Sequence, residues 1–390
     1  MASLAAAAAP AADDTPGPSD AAVAAIAAGS AAEAKADFRS ASGGETISAA
    51  KMANVDREKF LHVQSAQGDK FDVFIDWITR NGGKFPKVHL KEYAEGNRGV
   101  HASEAIENDE LVMTIPYKCI FTVEMGKATP TGQRVVAANI ENRFDAPKHI
   151  YLMLFLLIDG EDEHSFFRPY YNILPEYLGG MPIFWDEKDY AYLKGSHLLV
   201  QCENRKRAIA RDYQEILAVD PTFARFPLER FAWARMIVCS RNFGGQINGV
   251  RSSGMVPMAD MLNHYRPRET RWGFDEDEKN FTIHSCCPIA AGDSVYDSYG
   301  KKCQHRFLLN YGFSIEDNRE PDGRNPNQLH MEFDLLPERQ DSALKLKQML
   351  LQQVRCSCLM SLCIHLFVCV CVCVTRSRAH GHMDTATHFP

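Results

Sequence analysis

Apolar residues begin to recur in an ordered way near Phe60. Phe71, Phe74, Ile75, Trp77 and Ile78 fall at helical spacing and stop at Asn81-Gly82-Gly83, which predicts a helix closed by a C-cap. Gly99-Val100-His101-Ala102 and 110–116 read as two short strands by length and branching. From His149 to about Gly245 the period turns helical, at 149–158, 186–193, a long segment 196–219, and 228–242. Strands return at 281–286 and 294–299, split by the turn Ala290-Ala-Gly-Asp293, and a short helix over 305–311 ends on Gly312. The pattern is a strand-rich body interrupted by a helical insert, in the α+β class.

Both ends of the chain break that pattern. The first fifty residues hold 21 Ala, a single aromatic (Phe38), six acids and two bases, so 1–58 are expected to be disordered. A transit peptide is the functional alternative, but such segments are acid-poor, and Asp13, Asp14, Asp20, Glu33, Asp37 and Glu45 stand here. At the other end, 359–374 is a sixteen-residue apolar run, short against the roughly 20 residues of a membrane helix. Within it, Val368-Cys-Val-Cys-Val-Cys-Val374 is what a GT dinucleotide repeat encodes in one frame. Residues 354–390 are therefore expected to be translated intron, with a tail anchor as the alternative, and no membrane partner is expected.

Charge and cysteine narrow the function. The 390 residues carry 43 Lys+Arg against 50 Asp+Glu, a net charge of −7, which argues against holding nucleic acid by bulk electrostatics. Six of the twelve cysteines crowd into 356–373 and the others are scattered, the distribution of reduced thiols. A cytoplasmic or nuclear location is expected, with a plastid left open.

Three segments carry candidate chemistry. Glu95-Gly-Asn-Arg-Gly-Val-His-Ala102 puts two glycines in a short acidic turn before a strand, where backbone can approach a ligand closely, although taken alone an ordinary surface turn accounts for it better. Met255-Val-Pro-Met-Ala-Asp-Met-Leu-Asn-His264 is an apolar run ending on an amide and an imidazole, which need partners from a neighbouring strand or a ligand. Val295-Tyr-Asp-Ser-Tyr-Gly300 and Leu308-Leu-Asn-Tyr-Gly-Phe313 supply two Tyr-Gly steps, where isolated tyrosines are usually packing residues. In this order the three resemble the SET-domain methyltransferases, in the branch typified by the Rubisco large-subunit methyltransferase and the actin-histidine methyltransferase. Trp77…Asn81-Gly82, Phe167-Arg-Pro-Tyr170…Leu174-Pro175, Phe184-Trp185 and Ser240-Arg241 extend the resemblance over about 71–353.

The resemblance implies a knotted, strand-rich SET fold over 59–316, with its helical insert at about 118–240, and the start of a truncated α-helical substrate-binding domain at 317–353. It implies S-adenosyl-L-methionine as cofactor and a protein as substrate. Carried over residue by residue, Glu95, Gly96 and Asn97 would lie along the cofactor and Arg241 would hold its carboxylate. Asp260 to His264 would bind it through backbone and the Asn263 amide. Tyr299 matches the catalytic tyrosine, which also touches the cofactor, and Phe243, Tyr311 and Phe313 would line the substrate channel. Cys303-Gln304 departs from the pattern, where Ser-Asn or Cys-Asn is usual. Cys356-x-Cys358-x4-Cys363 has the spacing of a zinc element seen after some of these domains, but Tyr265 stands where its fourth ligand would, so no metal is expected.

Elementary chemistry agrees with that reading. Methyl transfer from a sulfonium is an in-line displacement, carried by positioning and electrostatics, and it needs no metal. The nucleophile must be a neutral amine although free Lys has a pKa of about 10.4, which suits a dry aromatic channel that disfavours ammonium. Tyr299 and Tyr311 can offer ring faces to the cationic centre, and Tyr299 an oxygen to the methyl group. Phe243 is apolar where histidine-modifying relatives place Asn, so lysine of a non-histone protein is the expected acceptor. Histidine N-methylation and a catalytically silent SET-like scaffold are the alternatives, and oligomeric state is not legible.

Overall fold

The computed structural model describes residues 69–94, 97–320 and 322–327, so what was expected of 1–68 and of everything from Gln328 onward lies outside the described residues. In chain order the main elements are α1 (Lys70–Arg80), β1 (Val88–Ala94), β2 (Asn97–Ala102), β3 (Leu111–Pro116) and β4 (Phe121–Thr122). Then come α2 (Val123–Ala128), α3 (Pro130–Ala138), α4 (Pro147–Asp159), α5 (His197–Val219) and α6 (Leu228–Arg241). The described residues close with β5 (Asn242–Ile247), β6 (Val250–Met255), β7 (Asn263–His264), β8 (Thr270–Asp275), β9 (Asn280–Ser285), β10 (Ser294–Asp297) and α7 (Gln304–Tyr311). The class is α+β, as the periodicity predicts.

Local chemistry sets several of these boundaries. Asp69 caps α1 by accepting from the Phe71 N–H at 3.3 Å, and Gly82 at φ +93 ends it beyond Asn81. In α4 every residue from Ile150 to Leu157 is buried, so its apolar surface runs round the helix and seats it in the core. Gly126 of α2 allows that seating, because a Cβ there would stand 1.9 Å from the Tyr151 carbonyl oxygen. Phe121 anchors the same region against the rings of Phe155, Phe167, Tyr170 and Tyr171.

Three small sheets hold the strands, ordered β1-β2-β10-β7, β3-β9-β8 and β4-β6-β5. The first positions the site. β2 pairs antiparallel with β10, and β10 runs parallel to β7 with Tyr296 opposite Asn263 and Asp297 opposite His264. Two distant segments, the Asn-His run and the Tyr-Gly run, are thereby laid side by side. Among the described residues no helix is long and apolar enough to cross a membrane.

Several boundaries differ from the sequence reading. Residues 242–255 form the β5–β6 hairpin, where the expected helical region ran on to about Gly245, because Asn-Phe-Gly-Gly carries no strand signal of its own. The helix expected over 186–193 is one turn, Glu187–Tyr190, followed by a 3-10 turn, Ala191–Leu193. The strand expected to reach Tyr299 stops at Asp297, which leaves Tyr299 in a loop ending on Gly300 at φ +88.

Candidate active site

One wall of the site is built where α6 ends. Arg241 Nη1 donates to the Asp260 carbonyl oxygen at 3.1 Å and to its Oδ2 at 3.0 Å, and the Tyr170 hydroxyl donates to the same Oδ2 at 2.8 Å. Burial works against the Arg241 charge, and the adjacent Asp260 carboxylate more than offsets it, so its pKa is raised. Burial holds the Tyr170 hydroxyl well above its ordinary range, so it stays neutral. Arg98 reaches the same place from β2, its Nε donating to Met261 Sδ at 3.1 Å, while Arg241 Nη1 lies 4.0 Å from that sulfur. The Asn263 amide ties the two segments together by donating to the Arg98 carbonyl at 2.9 Å. Gly99 makes room for it, since a Cβ there would stand 3.0 Å from Asn263 Nδ2 and 2.6 Å from the Tyr93 hydroxyl.

The other wall is aromatic. Tyr299 stacks on Tyr311 with centroids 4.8 Å apart and on His264 at 5.1 Å, and His264 stacks in turn on Phe307 at 4.9 Å. Phe313 closes the group, 6.3 Å from the Tyr299 ring and edge-on to it. The Tyr299 hydroxyl donates to the Leu262 carbonyl at 2.8 Å. Its own N–H donates to His264 Nδ1 at 3.0 Å, which puts the imidazole proton on Nε2. Burial, helped by Arg266, lowers the His264 pKa to about 4, and burial raises both Tyr299 and Tyr311. At neutral pH all three rings are uncharged. Asp297, behind this wall on β10, is pushed up to about 6 by burial, and Thr270 Oγ1 donates to its Oδ1 at 3.5 Å.

Most of the residues named from the sequence converge here. Arg241, Asp260, Asn263 and Tyr299 meet on these walls, with His264, Tyr311 and Phe313 stacked behind. Asn97 opens β2 opposite Ala94, while Glu95 and Gly96 lie outside the described residues. Phe243 stands apart from the tyrosine stack, packed edge-on against Trp272 at 5.2 Å and Phe281 at 5.1 Å. Arg98 was missed by motif reasoning, although a charged residue in phase with Val100 and Ala102 on a short strand was the signal for it.

Whether these residues suit a methyl-donor cofactor can be judged from their unmet polar atoms. Arg98 Nη2, Asp260 Oδ1 and His264 Nε2 are buried with no protein partner among the described residues. Two guanidiniums facing one carboxylate leave a positive charge unneutralised, which calls for an anionic group, and Oδ1 offers a place to a donor. An α-amino acid end carries both kinds of group, so the residues fit it.

The fold is that of the SET-domain methyltransferases. Within that class the chain is similar to the Rubisco and actin-histidine branch that its motifs resemble. The SET domain of LSMT bound to lysine and AdoHcy superposes with a TM-score of 0.55 at 24% identity, over 64% of this chain and 58% of that one. Rubisco LSMT bound to AdoMet gives 0.55 at 23%, over 65% and 58%. The actin-histidine N-methyltransferase of Xenopus tropicalis is 26% identical over 264 residues, 64% of this chain and 44% of its own length. That of Homo sapiens is 25% identical over 264 residues, 64% and 43%. The chain thus spans less than half the length of these curated relatives. No protein-family model matches it.

Proposed function

We propose that this chain is an S-adenosylmethionine-dependent protein N-methyltransferase whose acceptor is a lysine of a non-histone protein. The observation that carries the reading is the stacked Tyr299–Tyr311 pair, uncharged and half-buried, beside the two guanidiniums of Arg98 and Arg241 that share the single carboxylate of Asp260 among the described residues. When bound, S-adenosylmethionine supplies an electrophilic methyl group on a sulfonium, which a neutral amine attacks in line. Arg241 and Asp260 would hold the amino-acid end, and Asn263 and the backbone near His264 would line the rest, with Glu95, Gly96 and Asn97 completing the cradle. Tyr299 spends its only hydroxyl proton on the Leu262 carbonyl, so its oxygen keeps lone pairs that can accept from polarised C–H groups. The rings of Tyr299, Tyr311 and Phe313 exclude water and disfavour an ammonium, so an amine entering there is held deprotonated while the ring faces favour the cation that forms.

The relatives named actin-histidine N-methyltransferases favour a second reading, in which the acceptor is an imidazole. An imidazole needs a hydrogen-bonding partner to fix its tautomer and aim one nitrogen. Phe243, packed on Trp272 and Phe281, offers none, and the stacked rings of Tyr299, Tyr311 and Phe313 suit a desolvated amine, which together support lysine. Cell extract incubated with the chain and methyl-labelled donor, followed by mass spectrometry of the labelled peptides, should place the label on lysine. Label on histidine overturns the choice of acceptor and leaves the cofactor reading intact. A chain that shows no heat of binding with the donor is a silent scaffold. A cytoplasmic or nuclear location belongs to the same proposal, supported by the free thiols of Cys119, Cys202, Cys239 and Cys303.

A further inference from the structure

The pocket at Arg241 and Asp260 contains a second guanidinium to which neither the motifs nor the resemblance gave a role. Alternation along β2 sets Arg98 in phase with Val100 and Ala102, each 1% exposed, a core-facing position where a charge is costly unless it is paired. Glu92 is its partner across the β1–β2 ladder, yet the side chain turns to the Met261 sulfur at 3.1 Å and lies over the Phe71 ring at 5.4 Å. Its Nη2 is left buried without a partner among the described residues. Arg241 touches the same sulfur while paired to Asp260. Burial, and after it the neighbouring Arg241, lowers the Arg98 pKa to about 10, which still leaves it charged at neutral pH. Tyr170 and Tyr299 are neutral, so the only buried anion facing the two cations is Asp260 among the groups that act on Arg98 and Arg241 at close range.

The geometry points to Arg98 as a second carboxylate-binding residue of the cofactor site, which grips the amino-acid end of the methyl donor together with Arg241. This rests on the cofactor reading given above. The competing account is purely structural: Arg98 closes onto Asp260 Oδ1, which also lacks a partner among the described residues, and never meets a ligand. The two differ in what they say about a ligand without the carboxylate.

The experiment is calorimetry on the full chain with S-adenosylhomocysteine and with 5′-methylthioadenosine, which keeps the nucleoside and thioether but has no amino-acid end. Arg98→Gln should weaken S-adenosylhomocysteine roughly tenfold to a hundredfold, the range of a hydrogen bond to a charged group. It should leave methylthioadenosine within about twofold. Arg98→Lys keeps the charge but not the Nη2 donor, and should fall between wild type and Arg98→Gln for the first ligand only. It also serves if the glutamine variant fails to fold. Unchanged S-adenosylhomocysteine affinity overturns the inference, and so does an equal loss for both ligands. A wild-type chain that binds neither ligand overturns the cofactor reading, and this inference with it.

Discussion

Tyr299→Phe separates the catalytic from the packing role of the hydroxyl, because the two predict losses of different size. The ring keeps its stacking on Tyr311 and His264, at 4.8 and 5.1 Å. What disappears is the 2.8 Å hydrogen bond to the Leu262 carbonyl, and Leu262 is 1% exposed. An orphaned buried acceptor costs about 1–3 kcal/mol, which for a domain of this size lowers Tm by roughly 2–10 °C. A C–H···O contact to the methyl group is worth only about 0.5–1 kcal/mol, so its loss alone slows turnover by no more than about fivefold. If the oxygen also aligns the acceptor and the methyl group, misplacement adds a factor on the order of a hundred. The expected outcome is the larger loss, with S-adenosylhomocysteine affinity within a few fold of wild type. Single-turnover assays, calorimetry and a thermal melt read the three quantities separately. A lowered Tm with turnover within fivefold of wild type would refute the aligning role and leave Tyr299 as a packing residue.

Three further outcomes follow from the same geometry. Asn263→Ala removes the donor to the Arg98 carbonyl and should weaken S-adenosylhomocysteine binding at least tenfold by calorimetry; unchanged affinity would make Asn263 merely structural. Gly99→Ala pushes a Cβ to 3.0 Å from Asn263 Nδ2 and should reproduce that loss with a lower Tm, whereas wild-type binding would show that the contact relaxes freely. Asp297→Asn should change the pH dependence of stability. The folded pKa of Asp297 is raised to about 6, against about 3.9 unfolded, so its contribution is fully present below pH 4 and is lost as pH rises through 6. The gain in Tm from the Asn variant should therefore be larger at pH 8 than at pH 4.5, and a pH-independent difference would contradict the assigned shift.

The elements that were legible in the sequence are those whose burial is periodic. α1, α4, α5 and α6 each present enough apolar positions at helical spacing to be read, and α7 adds a glycine that takes a left-handed conformation at its end. The β5–β6 hairpin was not legible, because Gly244 and Gly245 sit mid-strand and its partner contacts supply what the local sequence lacks. Two short α2 and α3 helices escaped for a related reason. Their six and nine residues are too few to show a period, and α2 depends on Gly126 lying against the Tyr151 carbonyl.

Within the site, legibility followed the kind of work a residue does. Asp260, Asn263, His264 and Tyr299 lie in segments where polar side chains interrupt apolar runs, and an interruption of that kind signals a polar group that must find a buried partner. Phe243 gave no such signal of its surroundings, because an apolar residue is compatible with a channel and with a core, and it packs on Trp272 and Phe281. The acceptor preference therefore depends on what the Tyr299, Tyr311 and Phe313 rings admit more than on Phe243 in direct contact. Arg98 was legible in principle. Side chains alternate in direction along the six-residue strand, so position 98 shares the face of the buried Val100 and Ala102, and an arginine facing a core needs an anion. Asp260 Oδ2 is already shared by Arg241 and Tyr170, so among the described residues no second buried anion answers Arg98, and that place is the one proposed for the carboxylate of a ligand.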